Sequence, residues 1–85
     1  MIVYLDPEQH GKTGSYLPFW LRFEDELIDR DEERRIRRVM HELFDGKGFQ
    51  IGASEHQVWT IAFIEGWLVL MFRTGEDRDL ARLAL

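Results

Sequence analysis

The chain has 85 residues, of which 45% are apolar and 32% charged, and its 16 acidic and 11 basic residues give a net charge of −5. This composition is typical of a folded globular protein, and the length predicts one domain over residues 1–85 with a modest core. The acidic balance argues against general nucleic-acid binding, which requires neutralisation of phosphates. There is no cysteine, so disulfides and thiolate metal sites are excluded.

Two features of the sequence bear on localisation. The first residues lack the basic region and long apolar run of a secretion signal. The most apolar stretch, Val58 to Phe72, is shorter than the about 18 residues that a membrane helix needs, and Glu65-Gly66 interrupts it. The sequence therefore predicts a cytoplasmic protein that neither spans nor binds a membrane.

Three segments precede the first long helix. Ile2 to Leu5 is an apolar run closed by Asp-Pro, which predicts a strand. Asp6 to Ser15 contains one proline and two glycines, which predicts a loop long enough to be a candidate binding loop. Phe19 to Glu24 is predicted to be a strand, because Phe19, Leu21 and Phe23 then point to one side and Trp20, Arg22 and Glu24 to the other. The alternative is a helix with Pro18 in its first turn, whose apolar side chains would spread around most of its circumference.

The main helix is predicted over Arg30 to Asp45. Asp29 is a suitable N-cap with Glu32 three residues later, which is the spacing of a capping box. Glycines after Asp45 end the helix. Its apolar side chains recur at helical spacing and predict one buried stripe: Ile36, Val39, Met40, Leu43 and Phe44.

The second half of the chain predicts more strands and a short helix. Phe49 to Ser54 alternates like a strand, and Val58 to Phe72 is typical of a β-hairpin. Thr74 begins a last helix, with a small apolar stripe at Leu80, Leu83 and Ala84. The predicted fold is therefore α+β, a single small antiparallel sheet with the order β-β-α-β-β-β-α along the chain, packed against one main amphipathic helix.

The faces of the hairpin depend on its turn. Glu65 is poorly suited to the first position of a two-residue turn, which needs a positive φ, so a three-residue loop over Ile64 to Gly66 is expected. In that register Trp59, Ile61, Phe63, Trp67, Val69 and Met71 share one face, and Val58, Thr60, Ala62, Leu68, Leu70 and Phe72 share the other. Neither face is polar. Either the chain covers both faces, with the short last helix left for the second, or one face binds a partner or a second copy.

No motif in the sequence predicts catalysis or a cofactor. Asp6 to Thr13 approaches the phosphate-binding pattern G-x-x-x-x-G-K-[ST], but aspartate replaces the first glycine and no helix can follow at once. His10, His41 and His56 lack zinc-ligand spacing. Ser54-Glu55-His56 holds triad residue types, but triads are defined by geometry and not by adjacency. The chain is expected not to be an enzyme and to hold no metal or cofactor.

An acidic cluster is the most distinctive local feature. Seven of the ten residues from position 24 to 33 are acidic: Glu24, Asp25, Glu26, Asp29, Asp31, Glu32 and Glu33. Their spacing does not fit an EF-hand loop. They either form a solvated helix start, where carboxylates favour the positive end of the helix dipole, or bind a basic partner. With Trp20, an aromatic of the kind enriched in interfaces, they are the predicted partner-binding residues.

The same helix also carries basic residues away from its apolar stripe, namely Arg30, Arg34, Arg37, Arg38 and His41. These side chains would allow weak contact with nucleic acid. However, Asp31 precedes Arg35 and Glu33 precedes Arg37 by four residues, a spacing that predicts ordinary intrahelical ion pairs on a solvated face.

Three functions follow from these observations. Small size, acidity and a sheet-plus-helix core are shared with many small inhibitor and immunity proteins, including those that bacteriophages and mobile elements carry against host nucleases, although no motif is shared. The leading hypothesis is an inhibitor-type module that binds a basic surface of a nucleic-acid-processing protein. The alternative is a structural or homo-oligomerising domain that uses the hairpin face or an edge strand. Contact with nucleic acid through the arginine face is the third.

Overall fold

The computed structural model describes residues 1–11, 16–24, 28–44 and 58–85. These residues form four strands and three helices: β1 (Ile2–Leu5), α1 (Pro7–His10), β2 (Phe19–Phe23), α2 (Arg30–Phe44), β3 (Trp59–Ile64), β4 (Trp67–Phe72) and α3 (Gly75–Ala84). The strands form one antiparallel sheet in the order β1-β2-β4-β3. The predicted α+β class is confirmed. The predicted strand at Phe49 to Ser54 lies outside the described residues.

The main core lies between one face of the sheet and the two long helices. From α2, Ile36, Met40 and Phe44 are buried at intervals of four residues, while Val39 and Leu43 are half-buried beside them. The N-cap of this helix is also confirmed, because the Asp29 carboxylate accepts a hydrogen bond of 2.8 Å from the Glu32 N–H. The buried sheet side chains in this core are Leu21, Phe23, Trp59, Ile61, Leu68, Leu70 and Phe72.

The hairpin turn differs from the prediction. Glu65 and Gly66 have φ values of 53° and 85°, and Ile64 pairs directly with Trp67, so the loop has two residues and not three. A turn with two positive φ values matches the right-handed twist of its strands, which outweighs the strain at Glu65. The predicted register was therefore wrong. Trp59, Ile61 and Phe63 share a face with Leu68, Leu70 and Phe72, while Thr60, Ala62 and Ile64 share the other with Trp67, Val69 and Met71.

The strain at Glu65 yields a stability prediction. Glu65→Asn is expected to raise the free energy of unfolding by about 0.5–1 kcal/mol, because asparagine tolerates the left-handed conformation that costs most residues roughly 1–2 kcal/mol. Urea denaturation followed by circular dichroism measures the change. Glu65→Gln is the control, since it removes the charge but keeps the unfavourable backbone preference. An equal gain in both variants would assign the effect to charge.

The last helix begins as predicted but turns a different side inward. The Thr74 hydroxyl caps it by accepting a bond of 3.1 Å from the Asp77 N–H. Ala81 is buried, whereas Leu80 and Leu83 are exposed, so the predicted apolar stripe was wrong. Arg78 determines this orientation, because its largely buried side chain extends toward Asp6 and the ring of Phe19.

A one-turn helix, α1, replaces part of the predicted loop over Asp6 to Ser15. Pro7 occupies its first position, where its missing N–H is not needed, and Gly11 ends it with a φ of 72°. Gln9 Oε1 accepts a bond of 2.6 Å from the Asp6 N–H. Residues 12–15 lie outside the described residues, so the loop prediction is corrected only for Pro7–His10.

The second face of the sheet is covered by a different segment from the one expected. The predicted cover was the last helix, but α3 packs beside α2 on the first face. On the second face the buried cluster is Leu5, Trp20 and Val69. The His10 ring stacks on Trp20 with a centroid separation of 3.8 Å, and the Trp20 indole donates a bond of 2.9 Å to the Leu17 carbonyl. The chain around α1 and Leu17 therefore covers this part of the face.

Candidate protein-interaction surface

The acidic cluster is divided between two elements. Glu24 directly follows β2, whereas Asp29 caps α2, whose first turn carries Asp31, Glu32 and Glu33. Asp25 and Glu26 lie outside the described residues. The described carboxylates of the cluster thus lie mainly at the N-terminal end of α2, where the helix dipole favours negative charge.

Each carboxylate of the first turn of α2 has an arginine nearby on the same helix. Glu33 lies 3.8 Å from Arg37, which is the pair predicted from the sequence. Asp31, for which a pair with Arg35 was predicted, lies 4.0 Å from Arg34. Glu32 accepts hydrogen bonds from Arg35, which hold the pKa of its carboxyl below the ordinary value. Glu32 is therefore ionised at neutral pH. Pairs this exposed contribute little to stability, which leaves their charges available to a partner.

Trp20 does not belong to this surface. Only 4% of it is exposed, it stacks on His10, and its indole nitrogen is hydrogen-bonded within the chain. Its place in β2 puts it on the face of the sheet opposite α2. Its prediction as a partner-binding residue is corrected for this reason, since an interface anchor must reach the partner.

An open cleft lies beside the acidic start of α2. Its volume is about 240 Å³, and its lining residues are Ile28, Asp29, Arg30, Glu33 and Phe63. Phe63 is 59% exposed, more than any other described aromatic side chain. The predicted register had placed Phe63 with Trp67 and Val69. With the observed two-residue turn, Phe63 lies near the end of β3 on the side of the sheet that faces α2.

A second cavity of about 170 Å³ lies on the other face of the sheet. Its lining residues are Gln9, His10, Trp20, Arg22, Ile64, Glu65 and Val69. Three of the polar side chains that line it already bond within the chain: Gln9 accepts from the Asp6 N–H, His10 Nε2 lies 2.8 Å from the Pro18 carbonyl oxygen, and the Arg22 guanidinium pairs with Glu24. These contacts stabilise the cover over Trp20.

The described residues contain no group of three or more histidine, aspartate or glutamate side chains placed to hold a metal ion. Nor do the helices among them include one long and apolar enough to cross a membrane. No protein-family model, no curated protein and no solved structure matches the chain.

Proposed function

We propose that the chain is a small protein-interaction module that binds a basic surface of a protein partner through Phe63 and the acidic start of α2. The observation that supports this most directly is the position of Phe63, an exposed aromatic side chain on the rim of a cleft that also includes Asp29 and Glu33. An apolar anchor surrounded by charged groups is the usual organisation of a protein interface.

The charges at this end of α2 favour a cationic partner. Residues 29–33 contain four carboxylates and one arginine, which gives a local charge of −3. Their pairs with arginines of the next turns are worth only a few tenths of a kcal/mol each. A partner's lysine or arginine side chains can therefore replace them at little cost, and the negative field also increases the rate of encounter.

The basic surfaces of nucleic-acid-processing proteins are suitable targets for such a module. These surfaces bind phosphates with lysine and arginine side chains, and an acidic protein that covers them competes directly with the nucleic acid. The module would thus act as an inhibitor or immunity-type protein. Direct contact of its own arginine side chains on α2 with nucleic acid would contribute less to its function than binding to the protein partner.

The charge contribution is tested after co-purification and mass spectrometry have identified a partner. The triple variant Asp29→Asn, Asp31→Asn, Glu33→Gln removes three carboxylates, and asparagine at position 29 retains an N-cap oxygen. We expect binding at least about tenfold weaker by calorimetry, equivalent to about 1.4 kcal/mol, with a reduced salt dependence. The control removes three exposed carboxylates elsewhere: Glu8→Gln, Glu76→Gln and Asp79→Asn.

The apolar anchor is tested separately with Phe63→Ala against Tyr16→Ala, an exposed aromatic outside the cleft. Only the first is expected to weaken binding, since truncation of an anchor at the centre of an interface typically costs about 2 kcal/mol or more. If the partner binds the triple variant and Phe63→Ala as tightly as the wild type, the proposed surface is wrong.

A further inference from the structure

Among the described residues, the outer edge of β1 carries backbone groups that pair with no other strand. Met1 and Glu24 exchange both of their backbone hydrogen bonds, at 2.7 and 2.9 Å. Bonded and non-bonded pairs alternate along an antiparallel ladder, so Val3 and Leu5 also bond to β2. The N–H and C=O groups of Ile2 and Tyr4 consequently point away from the sheet.

The sequence of β1 lacks the residues that protect other edge strands. In the described sheet β1 is a terminal strand with β2 as its single neighbour. Its sequence, Ile-Val-Tyr-Leu, contains no charge and no proline, the residues with which proteins usually block strand addition. Tyr4 is exposed at this edge. The chemistry of the edge therefore fits an added β-strand.

We propose that β1 pairs in antiparallel fashion with β1 of a second copy of the chain, with Val3 on the twofold axis and Ile2 opposite the partner's Tyr4. This register forms four backbone hydrogen bonds, two from each Ile2–Tyr4 pair. A register centred on Tyr4, which would place Ile2 opposite Asp6, forms two, because the Asp6 N–H donates to Gln9 and its carbonyl oxygen accepts from the Gln9 and His10 N–H groups.

A second copy fits this edge for two reasons. The register places each Ile2 against a Tyr4, and β-branched and aromatic side chains are favourable cross-strand neighbours. Two copies of a chain with a net charge of −5 repel each other where their acidic side chains meet. β1 contains no charged residue, so pairing along β1 places no like charges directly opposite each other. The product is a closed twofold dimer with one continuous sheet.

A cysteine cross-link tests this register, because the chain contains no cysteine of its own. In the proposed dimer the two Val3 residues form a non-hydrogen-bonded pair with Cα atoms about 4.5 Å apart, which a disulfide spans. Val3→Cys is expected to form covalent dimers under mild oxidation at least about tenfold faster than Ile2→Cys. In the control the two positions are offset along the strands and lie roughly 8 Å apart, beyond disulfide reach.

Sedimentation of the wild type supplies an independent measurement. We expect a dimer at micromolar concentration that persists in high salt. Tyr4→Pro should make it monomeric, because proline removes an outward N–H but no bond to β2. A monomeric wild type at about 100 μM, or equal cross-linking of both cysteine variants, overturns the proposal. The triple carboxylate variant should still dimerise, so a failure of this inference is distinguishable from a failure of the proposed function.

Discussion

Replacement of Phe72 by alanine is expected to lower the free energy of unfolding by about 3–5 kcal/mol. The side chain is fully buried at the centre of the core. It lies between Phe19 on β2 and Trp59 on β3, and its ring centroid is 6.0 Å from that of Phe44 on α2. Because small domains are stable by only about 5–15 kcal/mol, this one truncation should remove a large part of the total. Urea denaturation followed by tryptophan fluorescence measures it.

Met71 is the matched control for this substitution. It is the preceding residue of β4, is half-buried, and points to the second face of the sheet. Met71→Ala is expected to cost about 1–2 kcal/mol, because fewer of its contacts are lost. If Met71→Ala destabilised the chain as much as Phe72→Ala, the assignment of Phe72 to the main core would be wrong.

The parts of the fold that were predictable depend on local signals. The buried stripe of α2 and its N-cap could be predicted because the period of the apolar residues and the spacing of Asp29 and Glu32 are both local signals. The start of α3 at Thr74 was readable for the same reason. The side of α3 that is buried could not be predicted in this way, because Arg78 interacts with Asp6, which is 72 residues away in sequence.

The wrong predictions concern features that depend on contacts between segments distant in sequence. The preferences of Glu65 argue against a two-residue turn, but the twist of the strands and the burial of Leu68, Leu70 and Phe72 on one face favour it. Trp20 is buried because it packs with Leu5 and Val69 and the His10 ring stacks on it, contacts that no local pattern predicts. For the candidate site, the acidic residues were visible in the sequence, whereas the exposure of Phe63 depends on the register.

The second large effect is expected at Arg78, which fixes α3 to the start of the chain. Its side chain is 11% exposed and lies 2.5 Å from the Asp6 carboxylate. The guanidinium carbon lies 4.8 Å from the ring centroid of Tyr4 and 5.3 Å from that of Phe19. Arg78→Ala removes the ion pair, the cation–π contacts and the packing of the aliphatic stem together, so we expect a loss of about 2–4 kcal/mol in urea denaturation.

Two further variants separate these contributions. Arg78→Met retains apolar packing against the two rings, and Asp6→Asn removes one charge but keeps a good N-cap for α1. Because the Asp6 side chain is 47% exposed, solvent screens the ion pair, and a double-mutant cycle should give a coupling of only about 0.5–1 kcal/mol. Arg78→Met should then retain much of the stability that Arg78→Ala loses. Equal losses in the two variants would show that the positive charge, and not the packing of the stem, holds α3 in place.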